Sequence, residues 1–327
     1  MSLIDLNYGE NYKEEIDLKH FLEAKIAKHL NIPRKNVLLN YGANSNLILF
    51  FSAYSNKLLA EKRRRLKVVL DVPNYFFTLH QINQWNANAS YVNRDSKFNF
   101  QPIQFIKTIK SFRPDVVVLT TPNNPTGKPI DDAVIDKMIR VVPKETIVLV
   151  DRACINTLPE ISTKELLAKH SNKQLIVLHS FSKSHTLSDS RVGYFATNQE
   201  SIADLLFKKP DLNHNLNALQ RLSDVIDDKQ HVARKKRIIK DCNTILKREF
   251  SKVYNSNYYE SFSNFAVIKL PSSIDSISAE KHFAEHNILI MGGHRIGLGS
   301  EYIRIHMSGV KEIKDFIKCY NSISTIV

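Results

Sequence analysis

The sequence predicts an α/β protein, a large, doubly wound and mostly parallel sheet accompanied by a smaller α+β unit. Three observations carry that expectation. Short apolar runs rich in β-branched residues, the length of strands buried on both faces, recur at 67–70, 116–120, 147–150 and 175–178, with shorter strands at 36–39 and 91–92. Segments with helical spacing separate most of them, so strand, turn and helix alternate from Asn36 to Lys183. Beyond residue 229 the order changes to long helix, strand, helix, two strands and helix. A chain of 327 residues with 43% hydrophobic content can bury a large core, and the large unit is expected over 31–228. The smaller unit is expected over 229–327 together with 1–30, which includes an N-terminal arm.

Taken in order, Ile16, Phe21, Leu22, Ile26, Ala27 and Leu30 recur at helical spacing, and Asn31-Ile32-Pro33 ends that helix. The strand at 36–39 leads through Asn40-Tyr41-Gly42-Ala43-Asn44-Ser45 into an apolar helix at 47–54. A glycine turn feeding a helix start can bind an anion, because unpaired backbone N–H groups and the positive end of the helix dipole meet there. The same residues fit an ordinary cap by Asn44 or Ser45. Past strand 67–70, Tyr75, Phe76 and Phe77 put rings beyond a strand end, where one could stack on a flat ligand or pack into the core. Helix 103–111 and strand 116–120 follow, and the strand runs into Thr121-Pro122-Asn123-Asn124-Pro125-Thr126-Gly127, a rigid turn. Helix 133–141 leads to strand 147–150, which ends at Asp151, a carboxylate suited to capping a turn or to holding a proton on a buried ligand.

The stretch 175–194, LIVLHSFSKSHTLSDSRVGY, is the one around which the chain is organised. Its strand turns into Ser180, Ser182 and Lys183, which places a lysine at a strand exit, where ligands of open α/β sheets bind. Burial there would lower its pKa and free the amine to attack a carbonyl, with the serines and Arg191 serving an anion beside it. A solvated lysine in a serine-rich loop fits the local pattern equally. After helix 163–170 and this strand, Asn124, Asp151 and Lys183 should emerge on one edge of the sheet. Helices are expected within 201–227 and over 229–250, then strand 266–270, helix 279–286, strands 288–291 and 302–307, and helix 311–322. Alternation in Tyr302-Ile303-Arg304-Ile305-His306-Met307 puts Tyr302, Arg304 and His306 on one face, and Arg304 is expected to look into the cleft.

The formal charge of +13 raises nucleic acid as a partner. The dense basic runs, 62–65 and 234–237, fall in helix-like segments without interleaved aromatics, so no nucleic-acid partner is expected and an anionic substrate or cofactor accounts for part of the excess. No apolar run approaches the ~20 residues of a membrane span, and the first residues lack a signal-peptide pattern. A soluble, cytoplasmic protein with no membrane partner is the expectation. Cys154, Cys242 and Cys319 are too widely spaced to suggest a disulfide framework or a metal site. A dinucleotide dehydrogenase would need G-x-G-x-x-G before a helix, whereas the glycine-rich run 292–299 precedes a strand; no G-x-S-x-G occurs either. His282-Phe283-Ala284-Glu285-His286 matches an inverted zinc-protease motif in form, but its short helix, polar surroundings and lack of an evident third ligand read as a solvated helix face.

In this order, Gly-Ala-Asn-Ser, Asn-Asn-Pro-Thr-Gly, strand plus Asp, Ser-Phe-Ser-Lys, Arg-Val-Gly-Tyr and Tyr-Ile-Arg-Ile, the motifs resemble those of the fold-type-I pyridoxal-phosphate enzymes of the class I/II aminotransferases. The similarity is nearest to the histidinol-phosphate aminotransferase branch and spans roughly 31–308. It implies pyridoxal 5'-phosphate as cofactor, transfer of an amino group between an L-amino acid and a 2-oxo acid, and a homodimer. Lys183 resembles the Schiff-base lysine that holds the cofactor and later carries the proton between Cα and C4′. Asp151 resembles the partner of the pyridinium N1, an anion that keeps N1 protonated so that the ring accepts electrons. Asn124 is similar to the donor to the ring's phenolate oxygen, and Tyr75 to the aromatic that stacks on the ring. Ala43 and Asn44 through their backbone N–H groups, with Ser180, Ser182 and Arg191, resemble the phosphate cup. Arg304 resembles the arginine whose planar fork binds the substrate α-carboxylate, beside Asn124. Tyr12, with Tyr8 competing, lies about where the family has a tyrosine reaching the partner subunit's cofactor phosphate.

Two positions depart from that pattern. Three residues after the aspartate the family usually has a tyrosine that donates to the phenolate oxygen, and Cys154 is a weak donor, which leaves Asn124 to do more. Met291 stands where histidinol-phosphate enzymes usually carry an extra arginine for the substrate's phosphate, with Arg295 nearby as a substitute. The same lysine and aspartate would also serve a lyase or amino-acid decarboxylase. A non-catalytic relic of the fold is the third reading, opposed by the retained Lys183, Asp151 and Arg304.

Overall fold

The computed structural model describes residues 12–158, 161–207, 215–253 and 258–323. Its first part runs α1 (Tyr12–Leu30), β1 (Val37–Asn40), α2 (Gly42–Lys62), β2 (Lys67–Val72), α3 (Phe76–Gln84), β3 (Asn88–Asn93), α4 (Pro102–Phe112), β4 (Val116–Thr120), α5 (Asp132–Val141), β5 (Ile147–Arg152), α6 (Thr163–Lys169), β6 (Gln174–Ser180), the single turn α7 (Phe181–Ser184) and β7 (Gly193–Thr197). It continues with α8 (Glu200–Phe207), α9 (Leu216–Val225), α10 (Lys229–Val253), β8 (Tyr258–Tyr259), β9 (Phe265–Lys269), α11 (Ser276–Glu285), β10 (Met291–Gly292), β11 (Tyr302–His306) and α12 (Val310–Ile323).

Seven strands form one sheet in the order β1-β7-β6-β5-β4-β2-β3, parallel except for β7, which runs against both of its neighbours. The apolar strands divide their side chains between two cores by simple alternation. Val69, Val117, Leu119, Val148, Val150, Leu175 and Val177 enter one, and Val68, Leu70, Val116, Val118, Leu149, Ile176 and Leu178 enter the other. A sheet covered by helices on both faces requires this pattern, which explains why the strands read as continuous apolar runs. The smaller sheet, β10-β11-β9-β8, is antiparallel and packs against α10, α11 and α12 through its own core.

One placement differs from expectation. Helix α1 does not join the smaller unit: Leu22, Ile26, Ala27 and Leu30 are buried in the core of the seven-stranded sheet. Its apolar stripe is the same width whichever partner covers it, so helical periodicity gave no means of choosing. We propose that the smaller unit begins near residue 229 and that α1 belongs with the larger one. Helix α3 and strand β7 were not anticipated. Helix α3 has no side-chain cap to announce its start, and β7 is a short strand directly after a polar loop.

Candidate active site

The site forms where β4, β5 and β6 end. Thr120 is in register with Asp151, and Asp151 with Leu178, so the three strands finish within two residues of one another and the turns that follow share one edge. A cavity of about 150 Å³ opens there. Ala43, Asn44, Tyr75, Asn124, Asp151, Ser180, Ser182, Lys183 and Arg191, each expected at a ligand site, all line it, and Thr120, Ala153, Cys154 and Ser188 complete its wall. A roomier hollow of about 600 Å³ lies between Thr157 and α10, but its one acid, Glu260, is already paired with Lys247. Chemistry, not volume, selects the smaller cavity.

One wall is the start of α2. Its N-cap residue, Tyr41, makes no side-chain capping bond, and the cap by Asn44 or Ser45 allowed by the sequence does not form. Asn44 Oδ1 instead accepts from the Tyr75 hydroxyl at 3.1 Å, and the Ser45 hydroxyl donates to the Tyr41 carbonyl at 3.1 Å. The first N–H groups of a 21-residue helix are thereby left facing the cavity without a side-chain acceptor among the described residues. Arg191 closes this corner. Its Nη1 donates to the Ser188 carbonyl at 3.1 Å, and its Nη2 lies 3.3 Å from where a Cβ on Gly42 would sit. Gly42 also has φ +72°, a conformation that disfavours a side chain. Two residues after Arg191, a Cβ on Gly193 would approach the His179 carbonyl to 2.6 Å and the Gly42 backbone to 3.0 Å. The helix start can therefore sit against β7 only because both positions are glycine.

The opposite side belongs to β5 and its exit. Asp151 is buried, and burial pushes its carboxyl up to about 6 although Oδ1 accepts from the Ala153 N–H at 2.9 Å. Oδ2 accepts no hydrogen bond from the described residues. Cys154 is next: burial first, and then the Asp151 charge, push its thiol up to about 12, so it stays neutral. Lys183, on α7, makes no hydrogen bond or ion pair with the described residues. Of the two readings open for it, burial and a solvated loop position, the second holds for its side chain, which is exposed at the cavity mouth because α7 is a single turn projecting beyond the sheet. Ser180 caps that turn, accepting from the Ser182 N–H at 3.2 Å.

Tyr75 is held by a buried polar network that sequence reasoning missed. The Thr120 hydroxyl donates to Asn74 Oδ1 at 3.1 Å, and Asn123 Nδ2 donates to the Pro73 carbonyl at 3.0 Å. Asn74 Nδ2 donates to the Asp71 carbonyl at 3.0 Å, and Asp71 is ion-paired with Arg94, both side chains being buried. The only trace of this in the sequence is a polar residue at each of several strand ends. Burial outweighs the Asn44 bond and raises the Tyr75 hydroxyl pKa.

Arg304 reaches the site from the smaller sheet. Its Nη1 donates to Asn124 at 2.8 Å, which fixes the accepting atom as the amide oxygen and turns the NH₂ away from that bond. The guanidinium stands 5.2 Å from the centre of the Phe265 ring, and burial lowers its pKa. Its register partners, Met291 and Val267, share its face of the sheet. Arg295 is turned toward Glu280, at 3.4 Å, with 58% of its side chain exposed, so it does not make up for Met291. The side chain of Tyr12, and the whole of Tyr8, lie outside the described residues.

Pyridoxal phosphate fits these residues. A helix start free of side-chain caps beside a guanidinium suits its phosphate, a buried carboxyl with one oxygen unused suits a ring N–H, and an unpaired amine suits its aldehyde. Fold and site together define an enzyme that uses an aldehyde-bearing, phosphorylated heterocycle on a substrate carrying a carboxylate. The family model for aminotransferase class I and II matches residues 9–316, and the chain belongs to that family, whose members depend on pyridoxal phosphate. It is 24% identical over 295 residues to the histidinol-phosphate aminotransferase of Sulfurimonas denitrificans, covering 86% of this chain and 77% of that one. Among solved structures, the histidinol-phosphate aminotransferase of Clostridium acetobutylicum superposes with a TM-score of 0.82 at 19% identity, over 97% of this chain and 94% of that one. That of Sinorhizobium meliloti, in complex with pyridoxal-5'-phosphate, gives 0.77 at 17% identity, over 94% and 82%.

Proposed function

We propose that this aminotransferase moves an amino group between an L-amino acid and a 2-oxo acid, with Lys183 holding the cofactor and Arg304 the substrate's α-carboxylate. The observation that carries the assignment is the pairing of an unpartnered amine, Lys183, with a buried carboxyl, Asp151, across one cavity of about 150 Å³. Pyridoxal phosphate, when bound, supplies an electron sink for the bond broken at the substrate Cα. The chain supplies the rest. The N–H groups at Ala43 and Asn44, the hydroxyls of Ser180 and Ser182 and the Arg191 guanidinium bind the phosphate. Tyr75, pinned through its hydroxyl to Asn44, covers a ring face, and Asp151 keeps a proton on the ring nitrogen. Asn124, oriented by Arg304, presents its NH₂ to the ring oxygen. The neutral Cys154 adds little there, so that oxygen depends on Asn124 more than on its neighbour. Lys183 carries the proton at the substrate Cα.

With Met291 beside Arg304 and Arg295 committed to Glu280, we favour a donor without a distal phosphate over histidinol phosphate. Tyr12 is assigned to the partner subunit's phosphate, which makes the working unit a homodimer, and the cytoplasm is the proposed location. Among the described residues no helix is long and apolar enough to cross a membrane. The deciding experiment is a screen of amino donors, histidinol phosphate included, that follows conversion of the bound cofactor to its amine form and release of the matching 2-oxo acid. Carbon dioxide release without that conversion would assign a decarboxylase instead. Cofactor that borohydride cannot fix to Lys183 would refute the reading outright.

A further inference from the structure

Helices α11 and α12 pack side by side on the smaller sheet, burying Phe283, Phe316 and Cys319 between them and the strands. At their seam one ring nitrogen each of His282 and His286 and the sulfur of Cys319 lie within 4.8 Å of one another. We propose that these three residues form a site for a borderline-soft divalent cation of the zinc type, which clamps α11 to α12. The site shares no residue with the catalytic cavity and does not depend on the assigned reaction.

Four observations support it. His282 and His286 are four apart on a helix that ends at Glu285, so their rings fall on one face, with centroids 4.6 Å apart. A tetrahedral ion bonded at about 2.0 Å to nitrogen and about 2.3 Å to sulfur sets its ligand atoms roughly 3.5 Å apart, which small side-chain rotations reach from the present spacing. The second ring nitrogens are occupied in the manner such ligands require. His286 Nδ1 lies 2.9 Å from the His282 carbonyl, which can only accept, so Nδ1 carries the hydrogen and Nε2 keeps its lone pair. His282 Nε2 lies 3.4 Å from the Cys319 carbonyl, which can only accept, and 3.2 Å from the Ser322 hydroxyl oxygen. Nε2 therefore carries the hydrogen, and Nδ1 of His282 keeps its lone pair. Finally, two imidazoles and a thiolate form a donor set that suits zinc, whereas calcium and magnesium prefer oxygen. His286 is exposed, so water completes the fourth position. The sequence pattern showed the two histidines, but the third ligand comes from the next helix, α12, beyond two intervening strands.

The test uses tag-free holoenzyme stripped of adventitious metal and given one equivalent of zinc. X-ray absorption at the zinc edge should find one sulfur at about 2.3 Å among nitrogen and oxygen neighbours at about 2.0 Å. Cys319→Ser should lose the sulfur shell. His286→Ala, a change at an exposed helix end that leaves the fold alone, should weaken zinc at least about tenfold in competition with a chelator. Ser322→Ala, which removes a hydroxyl partner of both His282 and Cys319 but no ligand, should weaken it by about tenfold as well. A first shell without sulfur, a sulfur that survives Cys319→Ser, or His286→Ala binding zinc as tightly as the wild type would each overturn the proposal.

Discussion

Replacing Asp151 with asparagine should stabilise the cofactor-free protein at neutral pH while weakening its hold on the cofactor. The carboxyl is raised from 3.8 to about 6 by burial. At about 1.4 kcal/mol per pKa unit, a native protein that keeps this carboxyl ionised gives up about 3 kcal/mol. The sign follows from which state loses the proton first. Below 3.8 the group is protonated in both states and costs nothing. As the pH rises toward about 6 the unfolded chain ionises while the folded protein stays protonated, so stability falls, and above about 6 the whole penalty is present. Asparagine retains the bond to the Ala153 N–H through its oxygen and carries no charge, so the variant lacks this slope. Equilibrium urea unfolding of both cofactor-free proteins should show a gap of about 1 kcal/mol near pH 4.5 that widens to about 3 kcal/mol near pH 7.5. Stability–pH curves that run parallel across that interval would refute the reasoning, because they would mean that the Asp151 carboxyl is not under strain.

Arg304→Ala should raise KM for the amino donor about 100-fold with a smaller change in kcat, the loss of about 3 kcal/mol expected for a forked, charge-assisted contact, read from steady-state kinetics. Arg94→Met should destabilise by about 3–5 kcal/mol in urea, because Asp71 would be left buried and unpaired, and adding Asp71→Asn should recover more than half of that loss. Gly193→Ala, whose Cβ would meet a backbone carbonyl at 2.6 Å, should cost about 3 kcal/mol by the same measurement. Gly297→Ala, with open space around it but φ +76°, should cost only about 1 kcal/mol.

Much of the site was legible in the sequence because chemistry-bearing residues sat directly after apolar strand runs. Once β4, β5 and β6 are parallel neighbours, Asn124, Asp151 and Lys183 have to leave on one edge, and register brings the three strand ends within two residues of one another. The cap expected of Asn44 failed for a reason that lies outside its own segment. Tyr75, 31 residues away, takes its side-chain oxygen, and the helix start remains open. The sequence left Lys183 open between burial and exposure because strand length does not reveal how far a one-turn helix projects past the sheet. The network of Asn74, Thr120 and Asn123 left no periodic trace at all, since its residues come from the exits of two strands, β2 and β4, far apart in the chain. Helix α1 shows the same limit at the level of packing: its pattern announced an apolar face but not which sheet would cover it.

The charges around the cavity also explain part of the chain's basic excess. Lys183, Arg191 and Arg304 converge on a site whose one wall carboxylate, Asp151, is itself resisted by burial. Three cations facing one reluctant anion form a field that only an incoming anion can balance, and a phosphate on one side with a carboxylate on the other does so. The fold holds these charges together: the strand ends fix Asp151, the glycines at 42 and 193 let Arg191 crowd a helix start, and Asn124 ties Arg304 across from the other sheet. Among these groups Asp151 is the one whose ionisation burial opposes, and it is also the one to which the proposed chemistry assigns the ring nitrogen.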